Sequence, residues 1–219
     1  LNFKMIEKIK QTKSEKILII FLIILFLTTF LSFFLIKNKC LFIKSVDPAK
    51  LNFSKPENIA ILNVSCGNVI IELFPDLSPN SVERFKMLIN NNEYDSVAFH
   101  RVLKDVLVQA GDLKFGKREN INYTFLGTGE SGYGQINSEI NQSFEFEKGT
   151  VAFARKDKFN TEDSQFFILL QDAPIFKGEY TPLGKVIYGL NILEKVKFDE
   201  KTEYVLRPDF INYFKMLVE

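Results

Sequence analysis

The chain has 219 residues, enough for one ordinary domain plus an appendage, and its 28 Lys and Arg nearly balance 27 Asp and Glu, so no basic surplus argues for nucleic acid. Its two cysteines, Cys40 and Cys66, cannot build a disulfide framework and pair only if the fold brings them together. The single histidine, His100, excludes a histidine-rich metal site and leaves a Ser-His-Asp triad one candidate base.

Residues 1–16 form a basic flank carrying Lys4, Lys8, Lys10, Lys13 and Lys16, and residues 17–36 (ILIIFLIILFLTTFLSFFLI) follow without a charge. Twenty helical residues at about 1.5 Å each span about 30 Å, the thickness of a bilayer's hydrocarbon core. The run exceeds the apolar stretch of a cleavable signal peptide, and no small-x-small cleavage site follows it. An all-round apolar helix buried in a soluble core has no need of lysines at both ends. The expectation is a retained transmembrane helix in contact with the lipid bilayer. Five lysines precede it and three (Lys37, Lys39, Lys44) follow, a small bias toward a cytoplasmic N-terminus and an extracytoplasmic C-terminal domain.

Residues 37–57, with Pro48 and Pro56, read as a tether with little structure. Beyond them, 59–64 and 69–73 are β-rich runs separated by Ser65-Cys66-Gly67-Asn68, a hairpin signal. Ser78-Pro79 opens a helix with a capping residue and proline at the first helical position; Val82, Phe85 and Ile89 give it an apolar stripe, and Asn90-Asn91-Asn92 stops it. Short strands are expected at 97–103, 106–109, 150–154, 165–170 and 182–186, and a second short helix at 192–196. Many short strands with few helices predict a mainly β chain closed into an antiparallel barrel. Residues 199–219 read as an amphipathic tail packed on the outside.

If 97–103 and 106–109 join through Lys104-Asp105-Val106, Arg101 faces Gln109 directly across the pair, and Leu107 shares that face. In 164–170 the same period groups Gln165, Phe167 and Leu169 on one face and Phe166, Ile168 and Leu170 on the other. One face fills a barrel while the other lines a groove.

These segments resemble the cyclophilin family. FHRV followed by QAGD is similar to its FHR-(I/V)-I-x-x-F-M-x-Q-G-G-D pattern, and SQFFI to its SQFFI strand. Gly127–Gly134 looks like its GTGGxGY loop, 149–155 like G-x-(V/L)-x-M-A-(R/N), and 183–189 like FGKVxxG, all in the family's order over about residues 58–198. The resemblance implies an eight-stranded antiparallel barrel capped by two helices. It also implies peptidyl-prolyl cis-trans isomerase activity on proline-containing polypeptides, without metal or cofactor. Residue by residue, Arg101 matches the family's donor to the prolyl nitrogen and Gln109 the glutamine that orients it. Phe167 matches the floor of the proline pocket, with Leu107 where methionine is usual and Phe176 where leucine commonly completes the pocket. Ala154 and Arg155 match the strip that binds the peptide backbone, and Phe99 and Gln165 match groove-lining positions.

Four departures stand out. Val106 replaces a phenylalanine of the pocket wall, Ile175 stands where a tryptophan linked to cyclosporin binding lies in some members, Tyr180 sits where a histidine often lies, and Ala110 replaces a glycine. Losing an aromatic wall weakens binding by about 1–3 kcal/mol if nothing fills the gap, and Ile175 puts cyclosporin sensitivity in doubt. Val106 and Ile175 motivate an alternative, a catalytically weak proline-peptide-binding chaperone or scaffold; a third reading is a purely structural barrel within a membrane complex. His100, with no carboxylate or nucleophile placed beside it by spacing, reads as a structural strand histidine. The loop 127–134 lacks the Lys-Ser/Thr of a phosphate cradle and reads as a turn.

Overall fold

The computed structural model describes residues 12–37, 39–41 and 43–218; Lys4, Lys8 and Lys10 of the expected basic flank lie outside them. Two compact units divide between residues 42 and 43.

In the first unit, helix α1 (Lys13–Lys37) contains the apolar run. Its start is a capping box. The Thr12 N–H donates to the Glu15 carboxylate at 2.8 Å, and the Glu15 N–H donates to the Thr12 hydroxyl at 3.3 Å. Within the run, the Thr28 and Thr29 hydroxyls turn back to the Leu25 carbonyl, each at 2.9 Å, so the polar atoms are satisfied inside the helix. The helix is long and apolar enough to cross a membrane, and none of its apolar window is buried.

The second unit is an eight-stranded antiparallel sheet curled into a half-barrel, comprising β1 (Ile59–Val64), β2 (Gly67–Leu73), β3 (Arg101–Leu103), β4 (Leu107–Ala110), β5 (Thr150–Phe153), β6 (Phe166–Leu169), β7 (Pro182–Tyr188) and β8 (Tyr213–Met216). The ladder order is β3-β4-β6-β5-β7-β2-β1-β8. Its two ends are drawn together by isolated bridges, Ala98 to Phe210 and Arg101 to Tyr204. The expected hairpin forms with Val64 opposite Gly67. Helix α2 (Pro79–Asn90) lies where the Ser-Pro signal puts it, and α3 (Leu190–Leu193) is a single turn starting two residues before its expected position. The α2 stripe inserts Phe85 among Tyr94, Phe153, Phe166 and Phe214, with ring centroids 5.3, 5.7, 5.2 and 5.5 Å away. Such edge-to-face packing adds about 0.5–1.5 kcal/mol per pair to the area buried.

Several expectations change. Ser78 does not cap α2; its buried hydroxyl donates to the Pro182 carbonyl. The cap comes from Glu139, whose carboxylate accepts from the backbone N–H of Asn80 at 3.2 Å and of Ser81 at 2.8 Å. Burial pushes that carboxyl up, but the hydrogen bonds from Ser81 and Asn80 outweigh it and hold it below its ordinary value. A cap from 58 residues away leaves no local sequence signature. The tether is structured from residue 43 onward. The Ser45 hydroxyl accepts the Asn68 N–H at 3.2 Å, and prolines open the single 3-10 turns Pro48–Lys50 and Pro56–Asn58. The tail is not packed outside: Tyr213–Met216 adds β8 to the free edge of β1, from Asn63 opposite Tyr213 to Ala60 opposite Met216, burying Phe214 and Met216. Neither cysteine is free, Cys40 and Cys66 each being disulfide-bonded.

Candidate active site

The β3–β4 turn passes through Lys104 to Val106, with Asp105 in the left-handed region at φ 59°. Asp tolerates that conformation better than bulkier residues, because its short side chain bonds locally. The turn sets the register Arg101 opposite Gln109 and Leu103 opposite Leu107. On the other side of β4, Gln109 pairs with Phe167 and Leu107 with Leu169. Arg101, Gln109, Leu107 and Phe167 therefore share one face across three strands. The opposite face carries Phe166, Ile168 and Leu170 into the main core.

On the shared face lies a groove of about 630 Å³ lined by Arg101, Leu107, Gln109, Ala154, Arg155, Gln165, Phe167 and Phe176, together with Tyr180, Glu203, Tyr204 and the loop 127–130. Its apolar end is aromatic. Phe167 meets Phe176 at 5.5 Å and Tyr180 at 5.1 Å, and Phe176 meets Tyr180 at 4.8 Å between centroids. Leu107 and Ala152 pack beneath.

The polar end is a directed chain of hydrogen bonds. The Gly127 and Gly129 carbonyls can only accept, so the Gln165 Nε2 donates to both, at 3.0 and 3.1 Å. That leaves Gln165 Oε1 to accept from Gln109 Nε2 at 3.0 Å, and Gln109 Oε1 to accept from Arg101 Nη1 at 3.1 Å. Two main-chain carbonyls thus fix the orientation of both amides, which side-chain chemistry alone leaves ambiguous. The carbonyls are held in turn by Asp112, fully buried, whose carboxylate accepts from Gly127 N–H at 2.7 Å, Gly129 N–H at 3.1 Å and Phe115 N–H at 2.8 Å. A Cβ at Gly129 would stand 2.0 Å from the Asp112 carboxylate, so only glycine lets the loop sit on it.

Of the expected site residues, Phe99 is placed elsewhere. It is completely buried in the main core. Strand β3 begins only at Arg101, so the alternation that groups Phe99 with Arg101 does not extend back to it. Arg155 lines the groove with its guanidinium 5.2 Å from the Tyr180 ring, and its N–H groups are already taken up by protein acceptors. It donates to the Glu179 carbonyl at 2.9 Å, the Glu179 carboxylate at 2.8 Å and the Lys156 carbonyl at 3.0 Å, and stacks 4.4 Å from the Phe159 ring. Asp112, Glu203 and Tyr204 belong to the site without having been singled out for it, and Tyr180, noted only as a departure from the family pattern, lines it too. Asp112 ends the QAGD motif, a signal available in the sequence; Glu203 and Tyr204 come from a distant loop and carry none.

His100, directly before Arg101, is 1% exposed, and neither ring nitrogen has a hydrogen-bond partner among the described residues. Burial pushes its pKa down from 6.5 to about 4; Asp112, the Ala98 backbone and the Gln165 amide pull the other way but do not offset it. The ring is neutral at neutral pH.

The model of the family described as cyclophilin type peptidyl-prolyl cis-trans isomerase/CLD matches residues 59–212. The chain belongs to this family. A probable peptidyl-prolyl cis-trans isomerase of Brucella suis is 40% identical over 159 residues, 71% of this chain and 81% of the relative. A peptidyl-prolyl cis-trans isomerase of Arabidopsis thaliana is 34% identical over 147 residues, 65% of this chain and 82% of the relative. Among solved structures, a Cryptosporidium parvum cyclophilin-type isomerase crystallised in the presence of the dipeptide Ala-Pro superposes with a TM-score of 0.62 at 26% identity, covering 72% of this chain and 98% of that one. The chain is a cyclophilin-type peptidyl-prolyl cis-trans isomerase, and its half-barrel is the cyclophilin fold.

Against the family pattern, neither Val106 nor Ile175 lines this groove. Val106 packs against the cluster of Leu107 and Phe167 that forms its apolar floor and borders a second hollow with Phe198, and Ile175 is 80% exposed. The aromatic surface of the groove comes instead from Phe176 and Tyr180 beside Phe167. Ala110 is buried and pairs with Phe166.

Proposed function

We propose that this cyclophilin turns Xaa-Pro bonds in the groove of Arg101 and Phe167, acting on exported or membrane-associated polypeptides from a single membrane anchor. The observation that carries the reading is the adjacency of a guanidinium, oriented through Gln109 and Gln165, to an apolar aromatic hollow. The imide bond resists rotation by roughly 18–20 kcal/mol because the nitrogen lone pair is delocalised into the carbonyl, and uncatalysed exchange takes tens of seconds or longer. In this mechanism the proline ring rests on Phe167 between Leu107, Phe176 and Tyr180. An Arg101 N–H donates to the prolyl nitrogen as it pyramidalises. The lone pair is then localised, the C–N bond gains single-bond character and the twisted state is stabilised more than either ground state. No nucleophile, cofactor or metal takes part. Gln109 orients Arg101, Gln165 orients Gln109, and the backbone of 154–155 pairs with the extended client, the Arg155 side chain being held by Glu179 against Tyr180.

The reading is tested by two-dimensional exchange NMR on an Ala-Pro peptide with catalytic amounts of the full chain in detergent. Cross-peaks between cis and trans signals should appear at mixing times of a second or less. Peptide signals that shift on binding without faster exchange would instead establish the proline-binding scaffold.

For the anchor, the length and uncharged character of α1, and lysines weighted to its N-terminal side, support a single pass with a cytoplasmic N-terminus. Two disulfide-bonded cysteines suit an oxidising compartment on the other side. In sealed right-side-out vesicles, added protease should degrade the 43–219 unit; full protection until the vesicles are lysed would reverse the topology.

A further inference from the structure

Arg101 is held at two points. Besides Gln109, its Nε–H donates to the carboxylate of Glu203, 102 residues further along the chain. Glu203 is not free to wander. Its carbonyl accepts from Val102 N–H at 2.8 Å, Val205 N–H donates to the His100 carbonyl at 3.0 Å, and Tyr204 bridges to Arg101 itself. The loop that carries Glu203 is thus stitched to β3 on both sides of Arg101. The Tyr204 N–H donates to the Thr202 hydroxyl at 3.2 Å, which closes the turn on the approach to this seam. Tyr204 and Glu203 both line the groove.

The ion pair is 30% and 44% exposed at its two side chains. Exposed pairs contribute little to stability, so a folding role does not account for it. Its geometric effect is larger. An arginine side chain has several rotors and five N–H donors in a rigid plane. Gln109 alone fixes one nitrogen and leaves the plane free to swing about it. A second acceptor at Nε fixes the plane, and Nη2 then remains without a partner among the described residues.

We propose that Glu203 is a positioning residue for catalysis: its carboxylate, clamped to β3 by the 203–205 backbone, locks the Arg101 guanidinium plane so that Nη2 is presented to the prolyl nitrogen. The proposal rests on the assignment of Arg101 as the donor. A carboxylate beside the cation also weakens its pull on the nitrogen lone pair, so positioning and charge act in opposite directions. With both groups partly solvated the charge effect is screened, and positioning dominates.

The test uses the full chain with Glu203→Ala and Glu203→Gln. Glutamine keeps an acceptor oxygen at the same reach and removes the charge. Two readouts are taken: kcat and KM for a proline peptide, and the 15N–1H signal of the Arg101 Nε group, assigned by its loss in Arg101→Ala. For Glu203→Ala the expected result is a fall in kcat of about tenfold with KM changed less than twofold, and rapid solvent exchange of the Nε–H. Glu203→Gln should restore kcat to within about threefold and slow the Nε–H exchange again. An unchanged or increased kcat in Glu203→Ala overturns the proposal, and so does a glutamine variant no better than alanine. Backbone amide spectra of each variant report folding, and the glutamine variant serves if alanine disturbs the loop. If Arg101→Ala itself isomerises at the wild-type rate, it is the donor assignment that fails; the Nε–H signal still reports whether Glu203 holds the side chain.

Discussion

Replacing Arg101 with alanine is expected to lower kcat/KM by roughly 10²–10³, the cost of removing one donor aimed at charge that develops in a transition state. The fold does not depend on the Arg101 side chain. That side chain is 30% exposed at the rim, and the β3–β4 register that sets it opposite Gln109 is made by the backbone, which alanine keeps. Removing it strands Gln109 Oε1, which the open groove lets water satisfy, so stability should change little. Arg101→Lys is expected to recover only a small part of the activity. An ammonium is a compact point charge without the planar fork, and it cannot meet Gln109, Glu203 and a prolyl nitrogen together. Exchange NMR on the same peptide checks both variants, alongside urea unfolding of each. Wild-type exchange rates in the alanine variant would remove Arg101 from the mechanism and leave the groove a binding site.

How much of this was legible in the sequence depends on the range of the interaction. The pairing of Arg101 with Gln109 follows from a three-residue connection and a period of two, both local. The split of 165–170 into a groove face and a core face follows from the same period, and the hairpin at 65–68 from its turn residues, which are equally local. Three features came out differently, or not at all, because their cause lies far along the chain. The α2 cap is supplied by Glu139, while Ser78, the residue with the right local chemistry, spends its hydroxyl on Pro182. Strand β8 exists because β1 has a free edge, which no pattern within 213–216 reveals. Glu203 reaches Arg101 because the 203–205 backbone bridges β3. Phe99 shows the limit of periodicity itself. Alternation assigns a face only where the backbone is a continuous strand, and the ladder begins at Arg101.

These long-range pieces share a logic. The groove's chemistry depends on the direction of two glutamine amides, and nothing in a glutamine selects that direction. It is imposed from the buried end: the Asp112 carboxylate takes the N–H groups of Gly127 and Gly129, their carbonyls face Gln165, and the polarity passes outward to Gln109 and Arg101. The loop that looked like a bare turn in the sequence is thus the base of the donor chain. Gly129 is needed for close approach to Asp112, and Gly127 for its left-handed backbone at φ 90°.

The second large effect is on stability in mild acid, and it comes from His100. In the folded chain burial holds its pKa at about 4, against an ordinary 6.5. The unfolded chain therefore takes up a proton at this site first as pH falls. A group whose folded pKa is depressed lends stability that is fully present above the unfolded value and is lost as pH drops through the window between the two, here from about 6.5 to about 4. Over that window the difference corresponds to roughly 3 kcal/mol, a large share of a domain's total. Carboxylates such as Glu139, held below its ordinary value by hydrogen bonds, add their own loss only at the lower end. The two contributions separate in a His100→Asn variant, because asparagine does not titrate. Urea unfolding followed at pH 7.5, 6, 5 and 4.5 should show wild-type stability declining from about pH 6.5 downward, while the variant, though less stable at pH 7.5, stays level until the carboxylates begin to protonate. Parallel curves for the two proteins between pH 6.5 and 5 would mean that His100 protonates in place, with water or a neighbour receiving the charge, and that its burial does not govern acid sensitivity.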